Sequence, residues 1–480
     1  MKALFYKITQ TFLELEQKRY LSKLAIILIG LSIFITDMNS QLYKEEKVIQ
    51  IDALAYYTYL PAAFIYNDLD LMFFTEPGPH YEYVTGKAWI SIGPDNQRII
   101  AVSYGLAALY APFFIAAHTF ASLFDIAPYG FSWPYQLSVQ IAALFYLILG
   151  LFIVRKILLK YFNETATTLT LLGVVLGTNL YYYASFEAGM SHVYNFFLIS
   201  LFLLLLIRWL KSPSFLASIL LGLTTGMVVL VRPSNLLIVS LFLFWDVFGW
   251  KGFMQRIVMF FKQFHKVLLM ILMSFLIWVP QFLYWNFIVG QYIYFSYGDN
   301  VQFFWNDPQI INILFSYRKG WLLYTPIMAI AIMGIPFLTK YLNKTIIPVS
   351  LILAIYAYVL SCWCFWWFGG GFGSRGFIDI YGIMAIPFAA ITTYFISNKK
   401  KYIKIGFMLL FILLIGHNLF EMAQYRNGAI HYANMTKASY WSSFGNLKPS
   451  GNFYNLLEEP PYDEVKRKIE EGREKEKSKK

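Results

Sequence analysis

The chain has 480 residues, 58% of them hydrophobic, 20% aromatic and only 14% charged, with a mean hydropathy of +0.53. Soluble domains carry about 25% charged residues, so a water-soluble globule is excluded. The net charge of +12 is spread over short basic clusters between apolar runs rather than along one face, which sets nucleic acid aside and points to orientation in a bilayer. Runs close to the ~20 residues that cross ~30 Å of hydrocarbon recur throughout, and the reading is an all-α polytopic membrane protein.

The first apolar run, Leu24 to Ile35, follows Lys2, Lys7, Lys18, Arg19 and Lys23. No small-residue cleavage pattern comes after it, so it reads as a retained first span with the amino end inside. A first external loop of roughly 38–134 is expected next. Within it, Ile-Gln-Ile-Asp-Ala-Leu-Ala-Tyr-Tyr (49–57) sets Asp52 in an apolar stretch where an ionised carboxylate is costly unless paired or used. Asp52 suits either a general base for an acceptor hydroxyl or the cap of a helix starting at Ala53. Tyr56, four residues on, is counted with the substrate-binding candidates.

If both 99–122 and 135–155 crossed, Arg155, Lys156 and every later basic cluster would lie outside. Segment 99–122, with Tyr104, Gly105, Tyr110, Pro112 and His118, is therefore expected to rest on the outer face as a bent or interfacial helix. Basic clusters at Arg155-Lys156 with Lys160, Arg208 with Lys211, Lys251 through Lys266, Lys340 with Lys344, and Lys399-Lys400-Lys401 mark cytoplasmic ends. External turns then fall near 187–190, 232–235, 290–320, 368–376 and after about 421, giving about eleven spans.

The second external turn, Ala-Ser-Phe-Glu-Ala-Gly-Met-Ser-His-Val-Tyr (184–194), offers Glu187 and His192. They could hold a metal, orient a base or simply make a polar helix turn. Cations outside a membrane are rarer than inside, so Lys87, Arg98, Arg232, Arg318, Lys319 and Arg375 each ask for a reason, and a phosphate ligand would supply one. Arg232-Pro233-Ser234-Asn235 joins two spans, and Phe315 to Pro326 puts Arg318 and Lys319 among aromatics as an interfacial belt would. Cys362 and Cys364 sit in an apolar run and offer neither a disulfide framework nor a metal quartet. Arg375 stands in Trp-Phe-Gly-Gly-Gly-Phe-Gly-Ser-Arg-Gly-Phe-Ile-Asp (367–379), where glycines allow close backbone approach and Ser374 adds a donor. The tail carries Tyr440, Trp441, Phe444, Phe453 and Tyr454 before Pro460-Pro461, a part that folds against the outer surface on this reading, and then the charged stretch 463–480, expected to be solvated helix or disorder.

A first external loop with an early aspartate, an acidic or histidine-bearing second turn and an outward arginine resembles the GT-C glycosyltransferases, a group that includes protein O-mannosyltransferases and lipid A aminoarabinose transferases. The strings Ser-His-Val-Tyr (191–194), Arg-Pro-Ser-Asn (232–235) and Gly-Phe-Gly-Ser-Arg-Gly (371–376) carry it. The resemblance implies a GT-C-like module over 1–420 with an external tail over 421–480. It also implies inverting transfer of a sugar from a polyprenyl-phosphate donor to a glycan, lipid or protein acceptor on the periplasmic side of a bacterial inner membrane. Asp52 matches the family's first-loop aspartate, with Glu187 and His192 as further catalytic candidates and Arg375, Ser374, Arg232, Lys87, Arg318, Lys319 and Tyr56 on the substrate. No cofactor is required on this reading, although a divalent metal remains open, because only Glu187 and His192 stand where oligosaccharyltransferases carry an Asp-x-Asp-like pair. The rival is a transporter or flippase of lipid-linked glycans; no internal repeat is visible, and the candidate residues gather at one face rather than at mid-depth.

Overall fold

The computed structural model describes residues 10, 14–84, 87, 90–298 and 301–477. It is an all-α polytopic bundle. Among the described residues, eight helices are long and apolar enough to cross a membrane. They begin with α1 (Leu21–Ser40). The short α2 (Asp52–Tyr57) precedes the only two-stranded sheet among the described residues, β1 (Ile90–Ile92) antiparallel to β2 (Arg98–Ile100). The order continues with α3 (Gly105–Leu123), α4 (Trp133–Leu158), α5 (Glu164–Leu176), α6 (Leu180–Ser185), α7 (Ser191–Lys211) and α8 (Phe215–Val231). Then come α9 (Gly249–Lys262), α10 (Phe264–Val289), α11 (Ile346–Cys362), α12 (Tyr381–Ile396), α13 (Lys401–Arg426) and α14 (Tyr462–Lys477).

About eleven crossings are expected from the sequence, and the difference from eight has a local cause. Segment 164–187 is split into α5 and α6 around Gly177–Asn179, and α8 has 17 residues. Pro233–Phe244 and α9 meet at 104°, a ninth crossing if the bent pair is one span. Between 321 and 341 the chain makes three short helices, Trp321–Tyr324, Ile327–Met333 and Leu338–Tyr341. Pro326 and Pro336 punctuate them, each removing a backbone donor.

Segment 99–122 is largely one helix, α3, with Pro112 inside it. It is long and apolar enough to cross, yet it flanks only the first half of α4: Phe120 packs on Trp133, His118 Nδ1 lies 2.6 Å from the Tyr135 hydroxyl, and Tyr146 Oη donates to the Leu109 carbonyl. Its start abuts Leu230 and Val231 at the end of α8.

The two ends of the bundle differ in chemistry. At one, Arg155 Nε donates to Ser22 Oγ, and buried Glu164 accepts from the Ser22 amide at 2.8 Å and its hydroxyl at 2.7 Å. Burial first, then nearby Arg208, Lys156 and Lys211, push the Lys160 ammonium below its usual range. Basic clusters from separate turns thus share this end. The turns near 189, 232, 300 and 370 meet at the other end, around a cavity. The helix that delivers the site, α12, is buried from Tyr381 to Thr393 and is the most enclosed span.

Helices α8 and α10 run side by side in the same direction through Gly222 and Gly226. A Cβ on Gly226 would lie 2.6 Å from the Ser274 carbonyl oxygen, and Ser274 Oγ donates to the Gly222 carbonyl at 2.8 Å. This is close small-residue packing of the kind that joins helices without a hydrophobic driving force. Gly226→Leu should lose about 1–3 kcal/mol of stability, read as a lower unfolding midpoint in detergent, whereas Gly406→Leu, which meets nothing within 4 Å, should leave the midpoint in place.

Candidate active site

The cavity has a volume of about 1060 Å³. Its polar lining includes Asp52, Tyr56, Glu187, His192, Arg232 and Arg375, and its apolar lining includes Phe295, Phe303, Trp363, Phe365 and Trp367.

Asp52 is fixed from behind. Gln136 at the start of α4 accepts from the amides of Val48 and Ile49 at 3.0 and 2.9 Å. Gly189 comes so near α2 that a Cβ there would lie 2.5 Å from the Ala53 Cβ. Ile51, with φ +50°, turns the chain into the helix whose first residue is Asp52. A β-branched residue in that region is strained and is held there by its surroundings. Asp52 Oδ2 receives Arg375 Nη2 at 2.9 Å, and both side chains remain partly open to the cavity.

The glycine loop positions Arg375. Gly369, Gly371 and Gly373 have φ of +66°, +140° and +62°, values that glycine adopts without a steric cost. Gly371 also lies so close to the Tyr183 hydroxyl that a side chain would displace it. Asn179 Nδ2 donates to the Phe372 carbonyl at 3.2 Å, and Lys319 Nζ donates to the carbonyls of Gly371 and Tyr432. Phe377, two residues past Arg375, stacks on Trp321 with centroids 4.1 Å apart.

Behind this pair lies a second ionic centre that sequence reasoning missed. Asp379 is fully buried on the turn Arg375–Ile380 and accepts from four side chains. His192 Nδ1 lies at 3.1 Å, Asn195 Nδ2 at 3.3 Å, Asn235 Nδ2 at 3.0 Å and Arg232 Nη1 at 3.2 Å. Tyr356 Oη completes the layer by donating to Asn235 Oδ1 at 2.6 Å. Arg232 Nη1 also lies 3.4 Å from His192 Nδ1, so the three side chains form one cluster. Arg232 projects here because the residue before a proline is held extended, with φ −152° and ψ 106°. The strings around His192, Arg232 and Arg375 therefore converge on Asp379. The signal was present, since Asp379 ends the glycine-loop string and Asn235 ends Arg-Pro-Ser-Asn, but nothing in one chain says which polar residue of a string faces inward.

Glu187 Oε1 accepts from the Tyr182 hydroxyl at 3.1 Å. Burial raises its carboxyl above the usual range, opposed by the nearby Arg375. Burial, with repulsion from Arg375 next, pulls the Lys319 ammonium down to about 7. Glu187 and His192 turn to different partners, and among the described residues no three His, Cys, Asp or Glu groups converge as metal ligands. The pair does not form a metal site. Ser374 is buried with its Oγ unpartnered among the described residues. Lys87 lies over the Tyr83 ring, Arg98 reaches the Leu71 carbonyl, and Arg318 donates to the carbonyls of Ala433 and Glu458. None of these last three lines the cavity. Cys362 and Cys364 are buried free thiols.

Of the two alternatives expected for the charged stretch, solvated helix or disorder, its described residues form the helix, α14, and one face of that helix is packed rather than solvated. Its Val465 and Ile469 are buried, and Tyr462 packs on Trp367 and Phe365 at 5.5 and 5.8 Å. The apolar stripe Tyr462, Val465, Ile469 at helical spacing was the sign of this, masked by the charge around it. Helix α13 runs unbroken past residue 420 to Arg426.

No protein-family model matches the chain, and no curated protein matches it. Among solved structures it is similar to the crystal structure of the Archaeoglobus fulgidus oligosaccharyltransferase in complex with Zn and sulfate, at 12% identity and a TM-score of 0.42. The match covers 91% of this chain and 59% of that one, so this chain spans less than two thirds of that protein's length.

Removing one partner from a buried ionic centre costs about 3–5 kcal/mol, because the other charge is left uncompensated. Asp379→Ala should therefore lower the unfolding midpoint strongly, and adding Arg232→Met should recover part of the loss. An unchanged midpoint for Asp379→Ala would show that Arg232 is satisfied elsewhere.

Proposed function

We propose that this protein is a membrane glycosyltransferase of the GT-C kind, moving a sugar from a polyprenyl-phosphate carrier to an acceptor bound in the cavity. The observation that carries this reading is the Asp52–Arg375 ion pair, 2.9 Å apart, open to a cavity lined by both charged and aromatic side chains. The aromatic side chains suit an isoprenoid chain, and the charged ones suit sugar and phosphate.

The chemistry asks for two groups. A base must take the acceptor hydroxyl proton as the oxygen attacks the anomeric carbon, and a cation must meet the phosphate oxygen that receives the electron pair of the breaking C–O bond. Asp52 and Arg375 are those groups. The guanidinium is the counterion of Asp52. A donor phosphate draws Arg375 to itself, which leaves Asp52 with an uncompensated charge beside the acceptor and makes it the stronger base. Asp379 acts one layer behind, fixing Arg232 and His192 as positioning residues.

Clustering of the polar residues at one end of the bundle supports transfer over transport, because transporters place their sites near mid-depth. The basic clusters at the opposite end support a cavity on the outer face, with the amino end inside. A bacterial inner membrane, with its polyprenyl carriers, is the proposed setting.

The test is release of free polyprenyl phosphate from a panel of polyprenyl-phosphate sugars, with bacterial envelope material as acceptor. Asp52→Asn should lower the rate by about 10²–10⁴-fold with an unchanged unfolding midpoint, and Arg375→Ala should weaken donor binding. Equal release by wild type and Asp52→Asn would remove Asp52 as the base.

A further inference from the structure

Helix α14 forms a wall of the cavity. Tyr462, Lys466, Ile469, Glu470 and Arg473 all line it, and their spacing puts them on one helical face. The helix is anchored at several points: Tyr462 packs against Trp367, Lys468 Nζ meets Asp307 Oδ2 at 2.9 Å, and Gly472 approaches Gln302. Arg467 and Glu471 pair on the exposed side.

The cations that the rest of the chain brings to the cavity already have partners. Arg375 is on Asp52, Arg232 is on Asp379, and Lys47 is on Glu45 at 2.8 Å. Lys466 is exposed and makes no ion pair among the described residues, and Arg473 Nη2 is buried without a hydrogen-bond partner among them. A second orphan donor on the same cavity wall is Trp367 Nε1, in a side chain only 2% exposed. Buried donors, above all a guanidinium nitrogen, are normally satisfied, and here both sit in residues that face a ligand-sized space. Glu470, on the same helical face, leaves the face with a net positive charge and disfavours an anion spread along its whole length.

We propose that α14 is a binding wall and that Lys466 and Arg473 hold a phosphate group of a lipid-linked ligand. This rests on the reading above that the ligand is a polyprenyl phosphate. Arg375 serves the phosphate oxygen released in the reaction, while the α14 pair holds the headgroup in the cavity.

The experiment measures equilibrium binding of sugar-free polyprenyl phosphate to the purified full-length protein in detergent. Lys466→Ala with Arg473→Ala should weaken binding by about tenfold or more, as expected for two lost charge-assisted contacts. Lys466→Arg with Arg473→Lys should keep most of it, and the exposed-face control Arg467→Ala with Glu471→Ala should bind as wild type does. Polyprenol, which lacks the phosphate, should bind weakly and equally to wild type and the double alanine variant. Displacement by inorganic phosphate at matching concentrations would make free phosphate the ligand and overturn the lipid assignment. Equal affinity of wild type and the double alanine variant, or no binding by wild type, would overturn the proposal itself. Binding that follows the expected pattern in a protein that transfers no sugar would leave the binding wall standing and remove the transferase reading.

Discussion

One buried carboxylate organises this molecule. Asp379 has no access to solvent and is held by four donors from three segments, two on α7, one at the end of α8 and one on the turn that follows it. A lone carboxylate in such a place would be prohibitively costly, and its four contacts are what make it tolerable. They also fix the directions of His192 and Arg232 and the start of α12, so that the turn carrying Arg375 has little freedom. The geometry in front, where Arg375 meets Asp52, depends on this layer behind.

Charge is separated in depth. The inner carboxylate, Asp379, is closed to solvent, which suits structure; the outer one, Asp52, is partly open, which suits exchange of partners. Arg232 is tied to the buried carboxylate and Arg375 to the partly open one. The helix α14 brings Lys466 and Arg473 to the same cavity without drawing on either centre.

The span-level fold was legible because hydropathy and basic clusters report directly on the bilayer. The long runs of α4, α7, α10 and α13 and the gathering of turns at one end are visible in composition alone. What was lost was continuity: glycine at 177 and prolines at 326 and 336 break runs that hydropathy reads as whole. At the site, Asp52 and Arg375 stood out because a charge in an apolar or glycine-rich setting is expensive. Asp379 did not, because its partners lie 144 to 187 residues away and no local pattern announces them. Lys87, Arg98 and Arg318 stand out in the sequence by charge alone; Lys87 lies over a tyrosine ring, and Arg98 and Arg318 meet backbone carbonyls.

The outer ion pair joins residues 323 positions apart. Until the first loop and the glycine loop meet, the carboxylate and the guanidinium each face their surroundings without a counterion, and neither can be withdrawn from water cheaply. The two walls that carry the pair are thereby brought together by a contact that spans most of the chain.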